Sequence, residues 1–184
     1  NPEWTERIKD FRALRFMNWM VTNSNNQETW ADRPTPETRT YAPNGVPVEV
    51  MIKLANKLNV DPWFNMPHKA NADYMRRFAQ VVKDRLNPHL LAYVEHSNEV
   101  WNWIFQQTHY ALEQGQARWG EEYGNAHLQW HGMRTAQMCD IWKQEVYGDE
   151  AHRVHCVYGT QSGWLGSELA GLDCPQWVAE GEMP

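Results

Sequence analysis

The chain has 184 residues, 42% of them hydrophobic and 22% charged, which is enough for one domain with a core of its own. Its formal charge is −6, with 17 Lys+Arg against 23 Asp+Glu and no basic block, so a nucleic-acid backbone is not an expected partner. No apolar run approaches the roughly 20 residues of a membrane span, and the 12% aromatic content argues against disorder.

The unusual count is 11 Trp. Indoles bury large areas in cores and also stack on flat ligand faces, so the set favours a partner with apolar faces, such as a sugar ring. Cys139, Cys156 and Cys174 are too few for a disulfide scaffold; the bridge expected is Cys156–Cys174, with Cys139 free. No CxxC spacing occurs, so a thiolate zinc site is not expected. No cofactor is expected. Asn1 opens the chain with no charged-then-apolar leader, which fits a removed leader or an excerpt alike.

Taken in order, residues 13–20 (ALRFMNWM) form a short apolar run expected as a strand. Residues 21–46 are rich in Asn, Thr and Pro and read as a long loop, ordered and functional because it carries Trp30 and Tyr41. Residues 47–59 read as a helix opened by Pro47, with Val50, Leu54 and Leu58 recurring at fours. Residues 60–66 form a second strand. Residues 70–86 form a helix capped by Asn71 and stopped at Asn87-Pro88. Residues 90–97 form a third strand. A helical region spans about 102–146, broken near Gly115–Gly124, and residues 153–159 form a fourth strand. The Gly-rich remainder reads as loop.

Strands alternating with helices imply an α/β fold with a parallel sheet and right-handed crossovers. In such sheets the ligand site lies at the carboxyl ends of the strands. The third strand runs there into Ser97-Asn98-Glu99-Val100-Trp101. A carboxylic acid beside an amide can donate a proton to a leaving oxygen while the amide holds a neighbouring hydroxyl, and Trp101 can wall the site. The competing expectation is helix capping, with Ser97 or Asn98 as N-cap and Glu99 in the first turn. His68, just past the second strand, is placed to orient the acid or bind a hydroxyl. Tyr158, past the fourth strand, is a further candidate for substrate binding.

The string YVEHSNEVWN at a strand end, with RFMNWM and DPWFNMPH before it, resembles the fourth-strand region of clan A glycoside hydrolases, over most of the chain. Those are retaining enzymes on (β/α)₈ barrels. The resemblance implies that Glu99 is the general acid/base and Asn98 its hydroxyl-binding neighbour. It makes Arg15 the counterpart of the clan's strand-two arginine. It also implies a partial barrel: residues 1–184 form a single segment matching strands two to five, with strand one and strands six to eight absent. A complete barrel needs about 250 residues. The nucleophile, a second glutamate on strand seven, would then lie outside the chain; Glu168, Glu180 and Glu182 follow no recognisable strand. A secreted or periplasmic location is implied by the resemblance alone. Oligomeric state, substrate sugar and linkage are not legible.

Two further expectations follow. In the implied barrel, if Glu99 faces inward the period of two turns Glu95 inward as well, and a buried carboxylate needs a partner, for which Arg15 is the candidate because alternate strands share a layer in that fold. His127 and His131 have the spacing of a metal pair, yet Leu128 stands where the metalloprotease pattern needs Glu, so a helix surface is expected. Trp63, Trp101, Trp103 and Trp164 are candidate sugar platforms. Three functions compete: a glycosidase segment, a non-catalytic carbohydrate-binding barrel, and a structural α/β domain whose Asn-Glu is a cap.

Overall fold

A computed structural model describes residues 1–181. A helix, α1, spans Pro2–Ile8; β1 follows at Ala13–Arg15. Then come α2 at Val48–Leu58, β2 at Asp61–Met66, α3 at Ala72–Arg85 and β3 at Ala92–His96. The second half carries α4 at Gln106–Trp119, α5 at Ala126–Asp140, β4 at Val154–Val157, α6 at Ser167–Asp173 and α7 at Pro175–Ala179. The four strands pair in parallel in the sequential order β1-β2-β3-β4. The fold is mixed α/β, with the sheet and helices alternating as expected. No helix among the described residues is long and apolar enough to cross a membrane.

Local chemistry sets the element ends. Asn59 stops α2 in the left-handed conformation that asparagine tolerates, and its N–H returns to the helix carbonyls. Asn71 starts α3 by accepting the Tyr74 N–H at 2.8 Å. Alternation along the strands separates two faces. Phe64, Met66, Ala92, Val94 and Val154 pack into the main core with α2, α3 and Trp142. The opposite face carries Arg15, Trp63, Asn65, Tyr93, Glu95 and His155, and the rings of Trp63, Tyr93 and His155 stack across three strands.

Several expectations need correction. The first strand stops at Arg15, because residues 16–22 fold into tight turns with Met20 N–H bonded to Phe16 O. Past α5 the helix changes pitch: Ile141–Tyr147 widens into a π-helical turn and Gly148–Arg153 tightens into 3₁₀. The tail is loop only as far as Gly166; α6 and α7 then lie against α5, where Gly132 and Gly171 let the backbones of α5 and α6 meet. The disulfide joins Cys139 to Cys156, and Cys174 is the free, buried cysteine. The reason is placement. Cys139 ends α5 beside the helix-facing Cys156 of β4, whereas Cys174 sits at the α6–α7 junction and donates to Gly171 O at 2.8 Å.

Candidate active site

Glu95 is the anchor of the site. Its side chain is almost fully buried, and it accepts from Arg15 Nε at 3.1 Å, from Arg15 Nη2 at 2.8 and 2.9 Å, from Trp63 Nε1 at 2.9 Å and from Asn65 Nδ2 at 2.8 Å. The expected Arg15–Glu95 contact is therefore present. Register explains the set. Asn65 lies directly opposite Glu95 on β2, and Trp63 opposite Arg15, so all four side chains share one face. A buried carboxylate is tolerated when charge and hydrogen bonds saturate it in this way.

Arg15 Nη2 also donates to Asn98 Oδ1 at 2.9 Å. An arginine can only donate, so this contact sets the Asn98 amide: oxygen toward Arg15, nitrogen toward the long loop. There Asn98 Nδ2 donates to Asn23 Oδ1 at 2.9 Å. Gln107 Nε2 donates to the same Asn23 oxygen and to Asn98 O, both at 2.8 Å. Asn98 is thus held from three elements and retains one amide hydrogen and one oxygen lone pair for a ligand.

The backbone around it is strained. Ser97 (φ 60°) and Glu99 (φ 42°) flank Asn98 in the left-handed region, and Val21 (φ 48°) and Ser24 (φ 58°) flank the loop that delivers Asn23. For a β-branched valine this is a costly conformation. Such residues cost about 1–3 kcal/mol each and cluster where function over-determines geometry.

Glu99 is half-buried in a turn closed by Asn102 N–H on Glu99 O at 2.9 Å, and its Oε2 accepts from Asn102 Nδ2 at 2.8 Å. Helix α4 begins only at Gln106, with Phe105 at its N-cap position. Ser97 and Asn98 cap no helix and Glu99 occupies no first turn, so the capping expectation is corrected. The positive φ at Ser97 and Glu99 is what turns the chain away from an early helix. Glu99 instead lines an open cleft of about 310 Å³ with Arg15, Trp63, Glu95, Asn98, Trp101, Val157 and Gly159. Gly159 permits the closeness of its walls: a Cβ there would lie 3.0 Å from Glu95 Oε1 and 3.5 Å from the Trp101 ring.

Arg15, Asn98, Glu99 and Trp101 are therefore brought together, and His68 and Tyr158 are not. His68 is buried edge-on against Tyr110, at 5.1 Å between centroids, with neither ring nitrogen paired. Burial, aided by Lys69, pulls its pKa down to about 4. Tyr158 stacks on His131 at 4.9 Å and abuts Gly171, and burial pushes its phenol up. It lines a separate cavity beside the disulfide. His127 and His131 are buried rather than on a helix surface, because β3, α4 and α6 surround α5. No group of three His, Cys, Asp or Glu side chains is arranged to hold a metal among the described residues. Of the tail glutamates, Glu180 pairs with Arg118, Glu168 accepts from Gly166 N–H, and Glu182 lies outside the described residues.

Asn23, Asn65, Gln107 and Gly159 went unassigned at the sequence level. Asn65 carried a signal, the alternation that puts it beside Glu95; Asn23 and Gly159 lay just past strand ends, where the fold class places a ligand site, with no role of their own; Gln107 carried none. No known protein family, curated protein or solved structure matches the chain.

Proposed function

We propose that the chain is a segment of a retaining O-glycosyl hydrolase, part of a (β/α)₈ barrel, acting on an oligosaccharide or polysaccharide. The observation that carries this reading is the Asn98-Glu99 pair at the carboxyl end of a parallel strand, facing an open cleft and free of any helix-capping role. Sequential strand order supports a barrel segment over a doubly wound sheet, in which the order reverses.

In this mechanism Glu99 protonates the leaving oxygen and later activates water. Asn98 holds the hydroxyl beside the cleaved bond, with its amide orientation set by Arg15 and Asn23. Trp101 and Trp63 wall the sugar faces. A retaining enzyme needs a second carboxylate about 5–5.5 Å away. Glu95 is held by Arg15, Trp63 and Asn65, chiefly through Oε2, and the reading assigns the nucleophile to a carboxylate outside this chain. That same feature, one uncommitted carboxylate in the cleft, favours the second reading, a barrel that binds sugar without cleaving it. The Cys139–Cys156 bridge supports a secreted or periplasmic location, where disulfides persist.

The test is hydrolysis of aryl β-glycosides and plant polysaccharides by the full reading frame that encodes these residues, with Glu99→Gln alongside. The proposal expects the variant to lose polysaccharide hydrolysis and to recover in part on aryl glycosides with good leaving groups, which need no acid. Sugar binding with no hydrolysis in either protein would move the assignment to the second reading.

A further inference from the structure

Gln107, in the first turn of α4, is fully buried and acts on the cleft without lining it. Its amide reaches three separate groups. Nε2 donates one hydrogen to Asn98 O and the other to Asn23 Oδ1, both at 2.8 Å, and Oε1 accepts from Ser24 N–H at 3.0 Å. Two of those partners are backbone groups with a single role each: a carbonyl only accepts and an N–H only donates. They leave the Gln107 amide one orientation.

That orientation is passed on. Asn23 must turn its oxygen to Gln107 Nε2, and the same oxygen then takes a hydrogen of Asn98 Nδ2 at 2.9 Å. Arg15 fixes the Asn98 amide from its oxygen side, also at 2.9 Å. Asn98 is therefore set from two directions by groups that cannot exchange roles. Gln107 also grips the strained backbone. Ser24, whose N–H it accepts, has φ 58°, and Asn98, whose carbonyl it holds, lies between Ser97 and Glu99 at φ 60° and 42°. Surrounding bonds of this kind keep such conformations in place.

Glu99 is held by other groups of the same region. Thr108 Oγ1 donates to Asn102 O at 2.7 Å, and Asn102 Nδ2 donates to Glu99 Oε2 at 2.8 Å. The first turn of α4 thus holds the two members of the Asn98-Glu99 pair through different side chains.

We infer that Gln107 is a positioning residue: acting through Asn23, it aims the Asn98 amide at the sugar 2-hydroxyl, the one beside the cleaved bond. Hydrogen bonds to that hydroxyl strengthen in the transition state, so their alignment bears on rate. The inference rests on the glycosidase reading for its reaction.

The test is kcat/KM of the full reading frame on the aryl β-glycoside it turns over best and on the 2-deoxy counterpart, which lacks the hydroxyl. Gln107→Leu and Asn23→Ala should each lower kcat/KM about a hundredfold on the first and less than about threefold on the second. Asn102→Ala disturbs the same turn but acts on Glu99, so it should slow both glycosides alike. With Asn98→Ala already in place, Gln107→Leu should cost little more. Asn23 is half-buried on the long loop, so its variant carries the test if Gln107→Leu does not fold. Equal losses on the two glycosides overturn the inference, as does a discrimination that Asn102→Ala shares. Hydrolysis of polysaccharide by Glu99→Gln is scored separately. If that variant cleaves as wild type while the Gln107 and Asn23 variants discriminate by the 2-hydroxyl, the catalytic assignment falls and the positioning role stands. If Glu99→Gln is inactive while those variants lose equally on both glycosides, the reverse holds. A wild type that hydrolyses no glycoside overturns both.

Discussion

Acidification should unfold this protein through its buried histidines well before its carboxylates protonate. Burial lowers the pKa of His68, His127 and His131 to about 4, and that of His96 well below its usual value. His96 and His131 face each other with Nδ1 atoms 3.4 Å apart, so protonating either places a charge against its neighbour. In the unfolded chain each imidazole titrates near 6.5. The folded pKa lies below the unfolded one, so the unfolded state binds more protons between those values. Stability is therefore full above about pH 6.5 and falls as pH drops toward 4. A folded pKa of about 4 against an unfolded one of about 6.5 corresponds to about 3 kcal/mol per histidine at the acid limit, and about 2 kcal/mol at pH 5. Three such groups remove about 6 kcal/mol, a large part of the 5–15 kcal/mol typical of a domain. Urea titrations at pH 7.5 and pH 5 measure this directly: the midpoint should fall by about a third or more at constant m. His127→Gln should reduce the pH dependence by about a quarter, since one of four titrating imidazoles is gone. A midpoint unchanged between the two pH values would refute the reasoning, as would an NMR titration in which every imidazole protonates near 6.5.

Four other outcomes follow from particular contacts. Arg15→Leu leaves Glu95 buried with only neutral donors and should cost about 2–4 kcal/mol in chemical denaturation, whereas Arg15→Leu with Glu95→Leu together should cost less than the single change. Reducing Cys139–Cys156, which spans 17 residues, should cost about 3 kcal/mol and lower Tm accordingly. Cys174, buried and with its thiol pushed up to about 11, should resist thiol reagents until the chain unfolds. Gly132→Ala should be the most damaging small substitution, at about 2–3 kcal/mol by thermal melt, because its Cβ would lie 2.0 Å from the Gly171 carbonyl oxygen and α5 would be forced off α6.

What the sequence revealed and what it hid divide along physical lines. Arg15–Glu95 was legible because alternation is strict in a strand and a buried carboxylate must find a cation. The parallel sheet was legible from alternating runs, and α3 from a cap, a stripe and a stop signal. The disulfide was not: three cysteines allow three pairings, and only the meeting of the α5 end with β4 selects one. Helices α6 and α7 were hidden because each is too short to show periodicity and depends on docking against α5. His127 and His131 looked solvent-facing because the spacing of one helix cannot say how many neighbours surround it. The capping expectation failed for a backbone reason: the left-handed turn at Ser97 and Glu99 postpones the start of α4 to Gln106. Asn23 and Gln107 lie 75 and 9 positions from Asn98 in the chain, and no local pattern joins them to it.

The central claim is that Glu99 is the proton-transferring group, and anion rescue tests it most directly. Glu99→Ala, assayed in the full reading frame on an activated aryl β-glycoside, should turn over slowly, limited by hydrolysis of the glycosyl-enzyme, and speed up in added azide, with the glycosyl azide as product and the anomeric configuration retained. Azide needs no general base, so it replaces the water that Glu99 would otherwise activate. Wild-type turnover in Glu99→Ala, with no response to azide, would contradict the account and remove Glu99 from the chemistry.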